Sequence, residues 1–235
     1  MRILITSGGT LVPVDPVRSI TNSSTGRFGS TLAAAALQAD MEVIYLTSKL
    51  GQAPFSRQLD LYQAADWQKT QASLEQFHLF CETYRPHYQE YRYSDFADYA
   101  EQLQKLLQTT QPQIVMLAAA VSDYLVSNYT GQKIRSGNSL NIQLTAAPKI
   151  IHAAREWAPD AFLVGFKLLI EADDKELVQA ASDILQKHNL DLVIANNLSS
   201  IQRGAHEVIL VERDGSSVKV TEKLAETIMA RLVKR

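Results

Sequence analysis

The sequence predicts an α/β fold of the Rossmann-like kind: an open, mostly parallel sheet with helices on both faces, followed by a C-terminal β-hairpin. Three observations lead there. Short, almost wholly apolar runs alternate along the chain with stretches whose apolar residues recur at helical spacing. The runs are apolar on both sides, as strands are when helices cover both faces of a parallel sheet. The last two runs instead alternate apolar with polar residues and are separated by Asp214-Gly215, a pair suited to a tight hairpin turn.

Taken in order, "RILIT" (2–6) is the first strand and residues 7–26 a long polar loop. A helix is expected over 27–39 and a second strand at "EVIYLTS" (42–48). The segment 49–93, with its "FHLFCETYRPHYQEYRY", keeps neither a period of 2 nor one of 3.6. It is assigned no element, and its aromatics are read as satellite core, a peripheral segment or a self-association surface. A helix pattern over 94–109 leads to the strand "QIVMLAAAV" (113–121), and a helix over 148–157 to "AFLVGF" (161–166). A further helix over 173–188 precedes "DLVIAN" (191–196). "HEVILVERDGSSVKVTE" forms the hairpin, and "EKLAETIMARLVKR" a closing helix whose Leu224, Ile228 and Leu232 make one apolar stripe.

Composition narrows the function. A chain of 235 residues, 46% hydrophobic, can close one substantial core, so one domain over 1–235 is expected. The 23 basic and 25 acidic residues leave a net charge of -2, without the basic field that nucleic-acid binding uses, and the expected partner is small. Cys81 stands alone, and His78, His87, His152, His188 and His206 show no ligand spacing, so neither a disulfide framework nor a metal centre is expected. No apolar run reaches the roughly 20 residues that span a bilayer, and no basic leader precedes the first strand. The expectation is a soluble, cytoplasmic protein with no membrane partner.

In open α/β sheets ligands bind beyond the carboxyl ends of the strands. After "RILIT" come Ser7, Gly8, Gly9 and Thr10, then "DPVRSITNSSTGRFG", where Gly26 and Gly29 bracket a helix start. Glycines admit backbone N–H groups close to a ligand, and a helix N-terminus favours an anion. Ser23, Ser24 and Thr25 supply further donors or simply cap the helix. Arg18, Arg27, Lys133, Arg135 and Lys167 all fall in or beside strand-end loops, and point to phosphates or carboxylates. Tyr129 and Lys133 have the spacing of a short-chain reductase, but Gly131 between them and "RSGNS" after them argue against the helix that this chemistry needs. "SGGTLVP" is also not the dinucleotide fingerprint.

The blocks "TSGGT" (6–10), "DPVRSITNSSTGRFG" (15–29), "AAAVSDY" (118–124), "KIR" (133–135), "APKII" (147–151), "VGFKLL" (164–169) and "LDLVIAN" (190–196) resemble, in order and spacing, the phosphopantothenate–cysteine ligase family. The resemblance covers most of the chain outside 49–93. It implies a coenzyme A biosynthetic ligase that joins 4'-phosphopantothenate to L-cysteine through an acyl-nucleotide, with CTP or ATP as co-substrate and Mg²⁺. It also implies a homodimer, for which the 206–220 hairpin and the aromatic segment are candidate surfaces. The chain starts at the synthetase strand, so the stand-alone form without a flavin is expected.

Role by role, the resemblance implies that Asn22 holds phosphopantothenate and assists conversion of the acyl-nucleotide, with Arg18 beside it. Lys133 is the mobile-loop lysine that forms the acyl-nucleotide. Ala119, Ala120 and Asp123 line the substrate. Gly9, Ser24, Gly26 and Gly29 cradle the nucleotide, with Ala147, Pro148 and Ile150 nearby, Phe166 beside the base, and Asn196 or Asn197 at a strand end. Where many members carry two lysines before "LDL", this chain has only Lys187, next to His188. Arg27-Phe28 replaces a basic residue followed by Met. The alternative, on the same fold, is a nucleotide-binding module without ligase activity.

Overall fold

The computed structural model describes residues 1–56, 66–135, 137, 139–202 and 207–234. The first strand, β1 (Arg2–Ser7), is followed by a small hairpin of β2 (Leu11–Asp15) and β3 (Arg18–Thr21), then α1 (Arg27–Gln38) and β4 (Glu42–Ser48). Next come α2 (Trp67–Tyr84), a 3-10 turn, β5 (Tyr88–Tyr93), α3 (Phe96–Thr110) and β6 (Ile114–Leu117). A second small hairpin, β7 (Tyr124–Val126) with β8 (Leu144–Ala146), precedes α4 (Ile150–Trp157), β9 (Phe162–Leu169), α5 (Asp174–Lys187) and β10 (Leu192–Asn197). The chain ends with α6 (Leu198–Gln202), β11 (Val208–Glu212), β12 (Ser217–Val220) and α7 (Leu224–Val233).

Eight strands form one sheet in the order β12-β11-β10-β9-β6-β1-β4-β5, parallel from β10 to β5 and antiparallel at β11 and β12. The predicted fold class, including the C-terminal hairpin, is therefore present. His206 and Arg235, at the ends of the predicted hairpin and closing helix, lie outside the described residues. Alternation along each strand sends side chains to two cores. Ile3 and Ile5 pack with Leu32, Ala36 and Met229 of α1 and α7, whereas Leu4 belongs with Tyr99, Leu103 and Leu185 of α3 and α5. No described helix is long and apolar enough to cross a membrane.

Three expectations are corrected. The segment 49–93 contains a long helix and a strand. Its helix eluded the period because the inward stripe of Leu74, Phe77, Phe80, Cys81 and Tyr84 is only half-buried and none of its residues is fully buried. Its strand, β5, is the sheet edge with Gln89 to Arg92 exposed, so it shows no alternation. Its aromatics split: Tyr93 is wholly buried, while Phe55, Phe80, Tyr84 and Tyr88 form a satellite ring cluster against the second core. Residues 57–65 of this segment lie outside the described residues. The run 113–121 leaves the ladder after Leu117: the Ala119 N–H goes to the Thr6 hydroxyl at 3.2 Å, and Ala120 meets Gly9 only as an isolated bridge. Likewise, residues 7–26, read as a loop, carry the strand pair β2–β3, and the stretch between the run 113–121 and the helix at 148, assigned no element, carries β7–β8.

β1 has β4 on one side and β6 on the other, so the chain leaves the sheet centre in opposite directions. A crevice opens at such a switch point, above the carboxyl ends of β1 and β6.

Candidate functional site

Above β1 and β6 the two strand ends stay tied to each other. Ala120 N donates to Gly8 O at 2.8 Å, Thr10 N to Ala120 O at 3.3 Å, and Ser122 N to the Thr10 hydroxyl at 2.9 Å. Asn22, exposed beyond β3, donates its Nδ2 to Ala120 O at 3.2 Å and Val121 O at 3.3 Å. The predicted substrate residues Asn22, Ala119 and Ala120 thus meet at one point. Tyr99 and Tyr93, which no motif pointed to, support this crest from below. Tyr99 OH reaches Thr6 Oγ1 at 3.4 Å, and Tyr93 OH donates to Ser7 O at 2.6 Å.

The start of α1 is open. Gly26 is its N-cap, at φ 73°, and has no side chain to cap it; of the expected hydroxyls Ser23, Ser24 and Thr25, Thr25 Oγ1 accepts from Arg27 N at a long 3.4 Å. The N-termini of α2, α3 and α5 are capped by Asp66, Asp95 and Asp173, whereas α4, beside the cleft described below, and α7 have no side chain bonded from the N-cap, like α1. Uncapped N–H groups carrying the positive end of the helix dipole suit an anion. Gly29 lets α1 close on β1: a Cβ there would overlap the Ser7 hydroxyl and approach Ser7 Cβ to 2.7 Å. Gly29→Ala is expected to cost about 1–3 kcal/mol by overpacking. For a domain of this size, about 2–4 °C per kcal/mol, that is a fall of several degrees in Tm. Thermal unfolding by circular dichroism checks it, and an unchanged Tm would mean that Ser7 moves aside freely.

Arg18 is not presented as a free cation. Its Nε and Nη2 reach Asp15 Oδ2 at 3.0 and 2.7 Å, and Nη2 also donates to Ile134 O at 2.6 Å. The Asp15 carboxyl has no solvent exposure. Burial alone would raise its pKa, but N–H groups of Val17, Ile134 and Arg18 and the guanidinium outweigh this and hold it at about 2. Lys133, exposed, stands one residue before the Ile134 so engaged.

A cleft of about 360 Å³ opens beside this crest, between the sheet, α4 and α5. Of the predicted residues, Ala119, Asp123, Pro148, Ile150, Phe166 and Lys187 line it. Ala147 is buried and is held by its N–H to Asp123 O at 2.9 Å. Lys149 and Lys167 also line the cleft, giving it three ammonium groups with Lys187. Lys149 pairs with Asp123 at 2.5 Å. Both partners are exposed, so the pair adds little stability and can open for a ligand.

His188 completes the cleft wall. It is buried, its Nδ1 has no hydrogen-bond partner among the described residues, and its pKa is lowered by burial first and then by Lys187, His152 and Lys149. In the sequence it was visible only as the neighbour of Lys187.

The remaining predicted positions separate. Asn197 is engaged in the fold, donating to Ala172 O at 2.6 Å and accepting from Ser199 N at 3.0 Å. Asn196 lines a second cavity, of about 430 Å³, with Thr25, Arg27 and Phe28. Phe166 stacks edge-on against Phe28, ring centres 6.1 Å apart, which couples the two cavities through one aromatic pair. Tyr129 and Lys133 share no helix, so the reductase arrangement is absent there.

Residues 1–78 and 91–235 match the family described as the DNA/pantothenate metabolism flavoprotein C-terminal domain. The chain belongs to this family. A phosphopantothenate–cysteine ligase of Homo sapiens is 30% identical over 274 residues, covering 97% of this chain and 85% of the human protein. A coenzyme A biosynthesis bifunctional protein CoaBC of Thermococcus kodakarensis is 32% identical over 213 residues, covering 91% of this chain but 45% of its own length. The chain thus spans about half the length of the bifunctional relatives it matches. Among solved structures of the family, a Cab2 point mutant in complex with phosphopantothenate-cysteine superposes with a TM-score of 0.84 at 26% identity, over 100% of this chain and 85% of that one.

Proposed function

We propose that this chain is a cytoplasmic phosphopantothenate–cysteine ligase. A carboxylate oxygen of 4'-phosphopantothenate attacks the α-phosphorus of a nucleoside triphosphate and pyrophosphate leaves. The cysteine amine then attacks the acyl carbon, loses its proton, and expels the nucleoside monophosphate. The observation that carries this reading is the convergence of Ala119, Asp123, Pro148, Ile150, Phe166 and Lys187 on one cleft rimmed by Lys149 and Lys167, beside Asn22. Phosphates gather at such cations, and fixed positive charge stabilises what develops in the transition state. No three His, Cys, Asp or Glu side chains among the described residues group to hold a metal ion. Mg²⁺ is proposed to enter with the triphosphate, as part of the substrate, and no flavin is part of this reading.

Pyrophosphate release with phosphopantothenate, Mg²⁺ and CTP or ATP, with and without cysteine, tests this, the products being weighed by mass spectrometry. CTP is the favoured nucleotide. Release with a condensed product supports the ligase and names its nucleotide, whereas binding of nucleotide without turnover leaves a silent module of the same fold.

The working unit is proposed to be a homodimer. Val17 is 65% exposed and Ile20 39% on one small hairpin, and Tyr124 is 58% and Leu144 47% exposed on the other. These exposed apolar side chains beside the site make the two small hairpins a third candidate surface, next to the 206–220 hairpin and the aromatic segment, where Leu50, Trp67 and Leu79 are also exposed. Val17→Glu with Ile20→Glu is expected to halve the mass measured by light scattering; an unchanged mass would place the interface elsewhere.

A further inference from the structure

We propose that Asp15 and Arg18 form a latch that positions Lys133, by gripping both backbone polar groups of Ile134; this rests on the ligase reading of Lys133. The two oxygens of Asp15 divide the work. Oδ1 accepts from Val17 N at 2.9 Å and Arg18 N at 2.8 Å, closing the turn between β2 and β3. Oδ2 accepts from Arg18 Nε and Nη2, and from Ile134 N at 3.1 Å, 119 residues further along the chain. Arg18 Nη2 then donates to Ile134 O at 2.6 Å. Ile134 is thereby held at its N–H and its C=O by one ion pair, without a strand to hold it.

Consecutive Cα atoms lie about 3.8 Å apart, so fixing Ile134 fixes the Cα of Lys133 to within one residue, while its flexible stem stays mobile. Lys133 carries a long exposed side chain, and reaction rates fall steeply when a catalytic group is misplaced by about 1 Å. Arg18 acts here as a positioning residue: its Nε–Nη2 edge, the fork that would grip a substrate carboxylate or phosphate side-on, faces Asp15 instead.

The division between oxygens gives a selective variant. Asp15→Asn keeps an oxygen for the Val17 and Arg18 amides, and sets an NH₂ donor against the Ile134 N–H and the guanidinium. Hydrogen exchange resolved by residue and single-turnover pyrophosphate release are measured on the same full-length protein. Exchange at Ile134 is expected to accelerate at least about tenfold with Val17 and Arg18 amides unchanged, while kcat for the first step falls on the order of 10–100-fold at unaltered nucleotide KM. Unchanged exchange at Ile134 overturns the latch. Faster exchange with an unchanged kcat overturns its role in placing Lys133. Absence of turnover in the parent protein overturns the ligase reading and the catalytic half of the proposal, and the exchange result still decides whether the latch exists. If Asp15→Asn does not fold, Ile134→Pro removes the same N–H from the other side; with no amide at 134 to follow, it is read by exchange at the neighbouring Lys133 and Arg135 amides and by kcat, with the same outcomes deciding.

Discussion

Lys133→Ala is expected to lower pyrophosphate release by about 10²–10³-fold, the loss found when one preorganised charge-stabilising group is removed from an active site. The carboxylate of phosphopantothenate and the α-phosphate are both anionic, so the first step drives like charges together. A mobile ammonium that follows the phosphate as pyrophosphate leaves reduces that repulsion most. The cleft lysines Lys149, Lys167 and Lys187 stay in Lys133→Ala, so nucleotide affinity should change little and the loss should appear in kcat. Lys133→Arg separates charge from shape, since a guanidinium keeps the charge but not the compact three-donor head. Equal pyrophosphate release in Lys133→Ala and the parent protein would remove Lys133 from the chemistry.

The fold was legible because parallel strands covered on both faces leave a signature that survives in sequence: continuous apolar runs spaced by helical periods. What escaped were elements held by something other than a two-sided core. α2 has only a half-buried stripe, β5 is paired on one side, and the β2–β3 and β7–β8 hairpins are too short to show a period. The site was legible in part for a different reason. Gly26, Gly29, Asn22 and the alanines after β6 stand in motif blocks, and the strand ends bring them together. Asp15 was not singled out, although it lies inside the block "DPVRSITNSSTGRFG", because its partner Ile134 is far away in sequence and contributes only backbone atoms, which carry no side-chain signal. Arg18 differs: a basic residue in a strand-end loop reads as a ligand for anions, and that its near neighbour Asp15 is a buried carboxylate paired with it is visible only in the structure.

Asn22→Asp should leave the first step running and stall the second. The Nδ2 of Asn22 donates to the carbonyls of Ala120 and Val121 at 3.2 and 3.3 Å, which fixes the orientation of the amide at the crest. An aspartate has no hydrogen to give them, so its carboxylate oxygen would stand against two carbonyl oxygens. It would also place a negative charge beside the acyl phosphate. Attack by the cysteine amine puts further negative charge on the acyl oxygen, and an adjacent carboxylate opposes that charge where an amide N–H would favour it. Pyrophosphate should appear as a burst of about one equivalent per site, followed by turnover slower by on the order of 10²-fold. The acyl-nucleotide should then be found on the protein by mass spectrometry in the presence of cysteine. Loss of the burst along with turnover would assign Asn22 to nucleotide or phosphopantothenate binding alone, and unaltered turnover would take it out of the mechanism. The comparison with Lys133→Ala matters most, because one variant should lack the intermediate that the other accumulates, an outcome that general damage to the crest would not produce.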